Sequence, residues 1–521
     1  MVTLAGEGSA AVRHGSHRRS RPGDREPDGK RGRRRLPRWT PVAAGAVATG
    51  VAISGTSASL SGDELATYSA VTRSLSGLWL LVQNIDGHFL PYYLFMHFWA
   101  LLSDAEWWLR LPSALALGVA AGFLADLGRR LYSARAGLLG AALFAVLPSV
   151  SYHGANARPY AFAAAAAVIS AWALHRLVEA PTARRACWYA GGVALLGCTH
   201  LFSVLVLPAQ LLATAWLLPR REILTRALPA MAAGCLPVAV LGLIGWGERH
   251  AISWIKPHGP DVLLKFPKMV TGSPTLGPAL FAVAVVGVVI LLRRPADRAD
   301  RTGRAWGALL GGWLVFPPVL LLLVSAVLTP AYVDRYLFVA APALALTAGV
   351  TLAAGYDLLR SGVLIPRLTA WGAVLIAAVL GMPDQIDYRQ QNGHYDDFPG
   401  AVRVVQSKAR QRDAILYGQS WLRTGFGYYG RGVLPDDVMR VGTGPGTAFE
   451  YPERSDVAAA LKGRTRVWIV WRGTKQSGLT GSKFPEVTAV RTAGFRLSSA
   501  WHSAELPGLT VALFSRTVPN P

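Results

Sequence analysis

Phe89-Leu90-Pro91-Tyr92-Tyr93-Leu94-Phe95-Met96-His97-Phe98-Trp99-Ala100-Leu101-Leu102 is the run whose placement decides how this chain is threaded. If it crossed a membrane, the segment Gly128-Arg129-Arg130-Leu131-Tyr132-Ser133-Ala134-Arg135 would lie outside, against the excess of Lys and Arg in cytoplasmic loops. Every later basic loop would follow it. The conflict disappears if the run lies in the interface or folds back, which makes residues 63–107 one long external loop. Trp79, Tyr92, Tyr93, Trp99, Trp107 and Trp108 suit that position, because amphipathic rings settle at headgroup level.

The composition sets the same class. Of 521 residues, 52% are hydrophobic and only 16% charged, and long uncharged runs of membrane-span length recur. The net charge of +23 would suggest nucleic acid in a soluble protein. Here the arginines cluster between apolar runs, as topology signals do, so no nucleic-acid partner is expected. Cys187, Cys198 and Cys235 sit inside apolar runs with no paired spacing, which implies neither a disulfide framework nor a zinc site.

Residues 1–40, with Lys30-Arg31-Gly32-Arg33-Arg34-Arg35, read as a disordered basic segment on the cytoplasmic side. The run 41–61 reads as an uncleaved first span, its basic leader being too long for a signal peptide. Further spans are expected near 109–128, 136–151, 160–178, 186–199, 201–218, 227–246, 275–292, 305–328, 336–356 and 364–382. That makes an α-helical polytopic protein with about eleven transmembrane helices, a membrane domain over 41–382 and a cytoplasmic N-terminus. The arginine groups 129/130/135, 176/184/185, 220/221/226, 293/294/298/301/304 and 360/367 then share the cytoplasmic side. The tail 383–521 falls outside and reads as a small α/β domain. Its strands are expected at Ala414–Tyr417 and Arg466–Trp471, its helices near 399–410 and 454–462, and a closing hairpin at Phe495–Trp501 with Leu509–Phe514. Gly442 to Gly446 lack the Lys-Ser/Thr of a phosphate loop and read as an ordinary loop.

Threaded this way, the polar residues gather on the external face. Gly62-Asp63-Glu64-Leu65-Ala66-Thr67 carries two adjacent carboxylates at a membrane boundary, where ionisable groups are costly unless partnered or functional. They can cap the following helix, or Asp63 can take a proton from an attacking hydroxyl. Asp86, His88, Arg158, Tyr160, Lys256 and Arg335 arrive on the same side, and the cations there can hold a phosphate by charge-assisted hydrogen bonds. Each has a plainer reading. Asp86 with His88 suits a loop turn, Arg158 an interfacial anchor, Asp334-Arg335 a local ion pair, Lys256 a solvated charge and His200 a packing histidine.

The order Gly62-Asp63-Glu64, Asp86-Gly87-His88-Phe89, Leu109-Arg110-Leu111-Pro112-Ser113, Ala157-Arg158-Pro159-Tyr160 and Asp334-Arg335-Tyr336-Leu337 resembles family-39-like bacterial glycosyltransferases of the GT-C class. That class includes protein O-mannosyltransferases and the lipid A aminoarabinose transferase. The resemblance implies an inverting plasma-membrane enzyme that moves a mannose-like hexose or a pentose from a polyprenyl-phosphate sugar donor. The acceptor would be an extracytoplasmic hydroxyl on a protein, glycolipid or polysaccharide. It also implies Asp63 as catalytic base with Glu64 beside it, Asp86 and His88 at the donor or a metal site, and Arg158 and Arg335 at the phosphate. Asn156 departs from the pattern, since relatives often carry Glu or Gln there. A divalent cation is possible in the class, but only Glu64, Asp86 and His88 offer ligands, so the metal stays unassigned. The competing classes are a transporter, for which no repeated halves are visible, and a noncatalytic scaffold whose external tail binds a partner.

Overall fold

The computed structural model describes residues 37, 39–293, 298–359, 365–431, 434–480, 483–504 and 507–516. The basic leader through residue 36, and Arg294 and Arg360 of the basic loops, lie outside the described residues. Arg38–Pro521 forms one compact unit.

Helices α1 (Thr40–Ile53), α2 (Gly62–Val71), α3 (Leu75–Val82) and α4 (Leu90–Ala100) open the chain, and α5 (Glu106–Leu131) is the first long one. Helix α4 has 11 residues, about 17 Å at 1.5 Å per residue, which is too short to cross a bilayer core. It buries Tyr92, Tyr93, Met96 and His97 and exposes Phe95 and Phe98, with Leu101 and Leu102 exposed just past its end, as a helix lying in an interface does. Trp99 and Trp108 stack at 4.4 Å and exchange indole-to-carbonyl hydrogen bonds of 2.9 and 3.0 Å, which clamps α4 onto the start of α5.

Helices α6 (Ala134–Ala145) and α7 (Pro148–Gly154) meet at a 65° bend. Leu147 is extended there, as the residue before a proline prefers. Then come α8 (Tyr160–Glu179), α9 (Ala183–Thr199) and α10 (Leu207–Leu217), followed by helices over Leu228–Gly247, Leu276–Leu292, Arg298–Val327, Ala341–Leu358 and Ile365–Leu380. Among the described residues, five helices are long and apolar enough to cross a membrane alone, or up to eight if each of three bent pairs is one span. Of the other expected spans, 41–61 and 201–218 overlap the shorter apolar helices Thr40–Ile53 and Leu201–Leu217, and 186–199 falls on α9. The chain is thus a multi-pass membrane protein with several apolar helices.

Ion pairs sort to two ends of the bundle. At the C-terminal end of α5, Asp126 pairs with Arg129 and Arg130, Glu179 with Arg130 and Arg176, and Arg135 with Asp357. At its N-terminal end lies the cluster described below.

Five strands, β1 (Ala414–Tyr417), β2 (Asp436–Asp437), β3 (Arg466–Arg472), β4 (Arg496–His502) and β5 (Leu509–Ser515), form one sheet in the order β2-β1-β3-β5-β4. β1 runs parallel to β2 and β3, and β5 antiparallel to β3 and β4. The expected second helix contracts to Val457–Ala460. Alternation along β3 sends its side chains to two cores. Val467, Ile469 and Trp471 pack with Phe484 and Val487. Trp468 and Val470 pack with Phe398, Val402, Leu60 and Leu65. The residues flanking Gly62-Asp63-Glu64 are therefore built into the core of the α/β layer.

Candidate active site

Ser61 caps α2, and its side chain and that of Glu64 reciprocate each other's backbone N–H groups as a capping box. The cap is half of what Glu64 does. Fully buried, its carboxylate receives Arg110 Nε at 2.7 Å and Nη2 at 2.9 Å, the Ala157 N–H at 3.0 Å, and His394 Nδ1 at 3.2 Å. Burial raises its proton affinity, but Arg110 and His394 outweigh it and hold the carboxyl far below the usual range. Burial also lowers the His394 imidazole, so at neutral pH it is uncharged and donates Nδ1–H to the acceptor-only carboxylate. Arg110 extends the network to the carbonyls of Thr56, Ala58 and Ser59. Glu64 thus fastens the first loop, the long helix α5, the second loop and the α/β layer at one point. No polar edge of Glu64 faces solvent.

Asp63 is the opposite case. One residue earlier in the same turn, its side chain is 47% exposed, and Oδ2 lies 3.4 Å from Arg335 Nη1. Arg158 Nη1 makes long contacts of 3.4–3.5 Å to the Asp63 carbonyl, Thr67 Oγ1 and Tyr93 Oη, and its guanidinium lies 4.9 Å over the Phe89 ring. Arg335 sits 5.1 Å from the Trp254 ring. The buried Nε atoms of Arg158 and Arg335 have no hydrogen-bond partner among the described residues. Buried guanidinium donors left without an acceptor are uncommon, and such an N–H keeps the capacity to donate to an anionic group. Burial pushes the Asp63 carboxyl upward, but the fields of Arg335, Arg158 and Arg472 together bring it below its ordinary value.

Asp86 adopts a left-handed conformation, φ 59°, which Asp tolerates better than most residues. It accepts the Tyr93 hydroxyl at 2.7 Å. The next residue, Gly87, donates its N–H to both Glu248 oxygens at 2.9 Å, and a Cβ there would lie 2.4 Å from the Val82 carbonyl. His88 Nδ1 is 3.4 Å from Glu248. The turn therefore reaches the cation cluster through Tyr93, while His88 faces Glu248. Tyr160 packs among His153, His200 and Tyr336. Lys256 is exposed in the loop that also carries Trp254. Among the described residues no group of three His, Cys, Asp or Glu side chains could hold a metal. Glu64 is engaged by Arg110, His394 and the Ala157 N–H, and Asp86 accepts the Tyr93 hydroxyl through Oδ2.

Residues 86–246 match the family model described as dolichyl-phosphate-mannose-protein mannosyltransferase. No curated protein sequence matches. Among solved structures, the crystal structure of ArnT from Cupriavidus metallidurans bound to undecaprenyl phosphate aligns with TM-score 0.52 and 15% identity, covering 91% of this chain and 97% of that one. Its apo structure aligns equally well. The oligosaccharyltransferase of Archaeoglobus fulgidus in its apo form aligns with TM-score 0.50 and 12% identity over 92% of this chain and 75% of that one. The chain has the GT-C fold. The family-model match begins at the Asp86 turn and takes in Arg110, Arg158 and His200. Asp63, Arg335 and the α/β layer lie beyond it, so in this GT-C chain the cluster draws on both matched and unmatched segments.

Proposed function

We propose that this protein is a polyprenyl-phosphate-sugar-dependent glycosyltransferase with Asp63 as general base. The observation that carries the reading is the pairing of a half-exposed carboxylate with two guanidinium groups whose buried Nε atoms lack acceptors among the described residues. Arg158 and Arg335 would grip the donor phosphate. The acceptor hydroxyl oxygen attacks the anomeric carbon from the face opposite the phosphate, its proton passes to Asp63, and the C–O bond to phosphate breaks with its electron pair on the phosphate. The configuration inverts, and the cations stabilise the departing charge.

The low proton affinity of Asp63 keeps it ionised but makes it a weak base in the empty site. A bound phosphate shares Arg335 and restores basicity where it is needed. The ArnT structure with undecaprenyl phosphate and the family-model description support a lipid-phosphate donor; its sugar would be a mannose-like hexose or a pentose. The acceptor would be a protein, glycolipid or polysaccharide hydroxyl outside the membrane. Taking the bent pairs, the two shorter apolar helices and α9 as spans beside the five long helices gives about eleven crossings. The positive-inside rule then sets the Asp63 end outside the cell and the N-terminus in the cytoplasm.

The test incubates membranes bearing the wild-type protein with labelled undecaprenyl-phosphate mannose, glucose and arabinofuranose. Release of undecaprenyl phosphate from at least one donor, beyond that in membranes lacking the protein, is expected. Consumption of none would refute the transferase reading.

A further inference from the structure

Asp396 belongs to the α/β layer, yet its buried carboxylate acts at the start of α2. Its Oδ2 accepts the Gly62 N–H at 2.9 Å, its Oδ1 accepts Arg472 Nε at 2.7 Å, and its backbone oxygen accepts Ser59 Oγ at 2.8 Å. Arg472 ends strand β3 and is fixed by its N–H to Gln419 Oε1 at 2.9 Å. Trp421 lies over Gly62 so closely that a Cβ there would meet its ring at 3.1 Å. Strand β3, Asp396 and the residue before Asp63 form one continuous chain of contacts, and Leu60 and Leu65 anchor both sides of it in the core of the layer.

We propose that the α/β layer completes the catalytic site through Arg472, a positioning residue that is braced by Asp396 against the Gly62 N–H and fixes where the Asp63 carboxylate sits. The inference rests on Asp63 being the reacting carboxylate. Without Arg472, Asp396 loses its counter-ion, the Gly62 N–H loses a rigid acceptor, and Asp63 loses one of three cations. The charged groups facing Asp63 are Arg335 from the segment after Val333, Arg158 from the second loop, Arg472 from β3 and Glu64 from α2. Tyr152, Tyr160 and Tyr336 are the titratable hydroxyls that feel its charge.

A labelling experiment reads this without catalysis. A water-soluble carbodiimide activates only protonated carboxyls, and an added amine traps them as amides, so mass spectrometry of the Asp63 peptide against pH gives its titration in the purified full-length protein. Arg472→Gln should move the Asp63 midpoint upward by at least about half a pH unit, and Arg472→Lys should restore most of it. Asp396→Asn should shift it in the same direction, and if that variant does not fold, the Gln and Lys pair at 472 still decides. In the transfer assay the acid limb of Arg472→Gln should rise by the same amount. An unchanged midpoint in Arg472→Gln, while Arg335→Gln moves it, would overturn the proposal. If the wild-type protein consumes no donor, the transferase reading fails and the labelling result still decides whether Arg472 governs Asp63.

Discussion

Glu64 and Asp63 share one helical turn, and their surroundings differ in one respect that separates structure from chemistry. Around Glu64 the carboxylate is met by Arg110, His394 and two backbone N–H groups, and nothing faces solvent. Around Asp63 the carboxylate is half exposed, the nearby guanidinium contacts are long, and two Nε atoms lack acceptors. The far end of α5 resembles the first case: Asp126 accepts Arg129, Arg130 and the Trp172 indole. Satisfied charges lock helices together. Unsatisfied ones, held rigid by satisfied neighbours, await a ligand.

Changes on the Glu64 side should act on folding. Glu64→Gln leaves Arg110 buried without its counter-ion, which costs about 3–5 kcal/mol; the measurement is thermal melting of the detergent-purified protein, and a melt within a degree of wild type would break the comparison. Leu65→Ala opens a hole in the core shared with the sheet and should cost about 2–4 kcal/mol, read in the same melts.

Changes on the Asp63 side should act on binding and rate. Arg158→Gln should weaken undecaprenyl phosphate binding by roughly tenfold or more, since a charge-assisted contact is lost, with the melt in the absence of lipid nearly unchanged. The smallest effect is in pH. Because the Asp63 carboxyl of the empty site is depressed below its ordinary value of 3.8, wild-type kcat/KM, which reports the free enzyme, should be lost only as pH falls below that value, and Arg335→Gln should move this acid limb upward. Glu64 is depressed too, so its stabilisation is fully present above its ordinary value of 4.5 and is lost as pH falls through its folded value.

Much of this contrast is legible in one dimension. The parity of the basic loops reads Phe89 to Leu102 as lying along the membrane, and a helix of 11 residues agrees. Charge counting also gathers Asp63, Arg158 and Arg335, and the tail's sequence reveals four of the five strands described, all but the two-residue β2. What stays hidden is who pairs with whom. Arg110 stands in a motif that looks like ordinary span-start sequence, and its partner lies 46 positions away. Asp396 and Arg472 sit in a tail with no catalytic signature, and only the folding of the sheet onto Leu60 and Leu65 brings them to the site. Glu64 reads as a catalytic neighbour because adjacency in sequence says nothing of direction: successive residues on a helix point about 100° apart.

The most direct test of the central claim compares purified Asp63→Asn with wild type in two readings, affinity for undecaprenyl phosphate and transfer from the donor that the wild type consumes. The account predicts binding within about twofold of wild type, because the arginines are untouched, and transfer reduced by roughly 10²–10⁴-fold, the usual contribution of a general base. Transfer retained at wild-type rate in Asp63→Asn would contradict it.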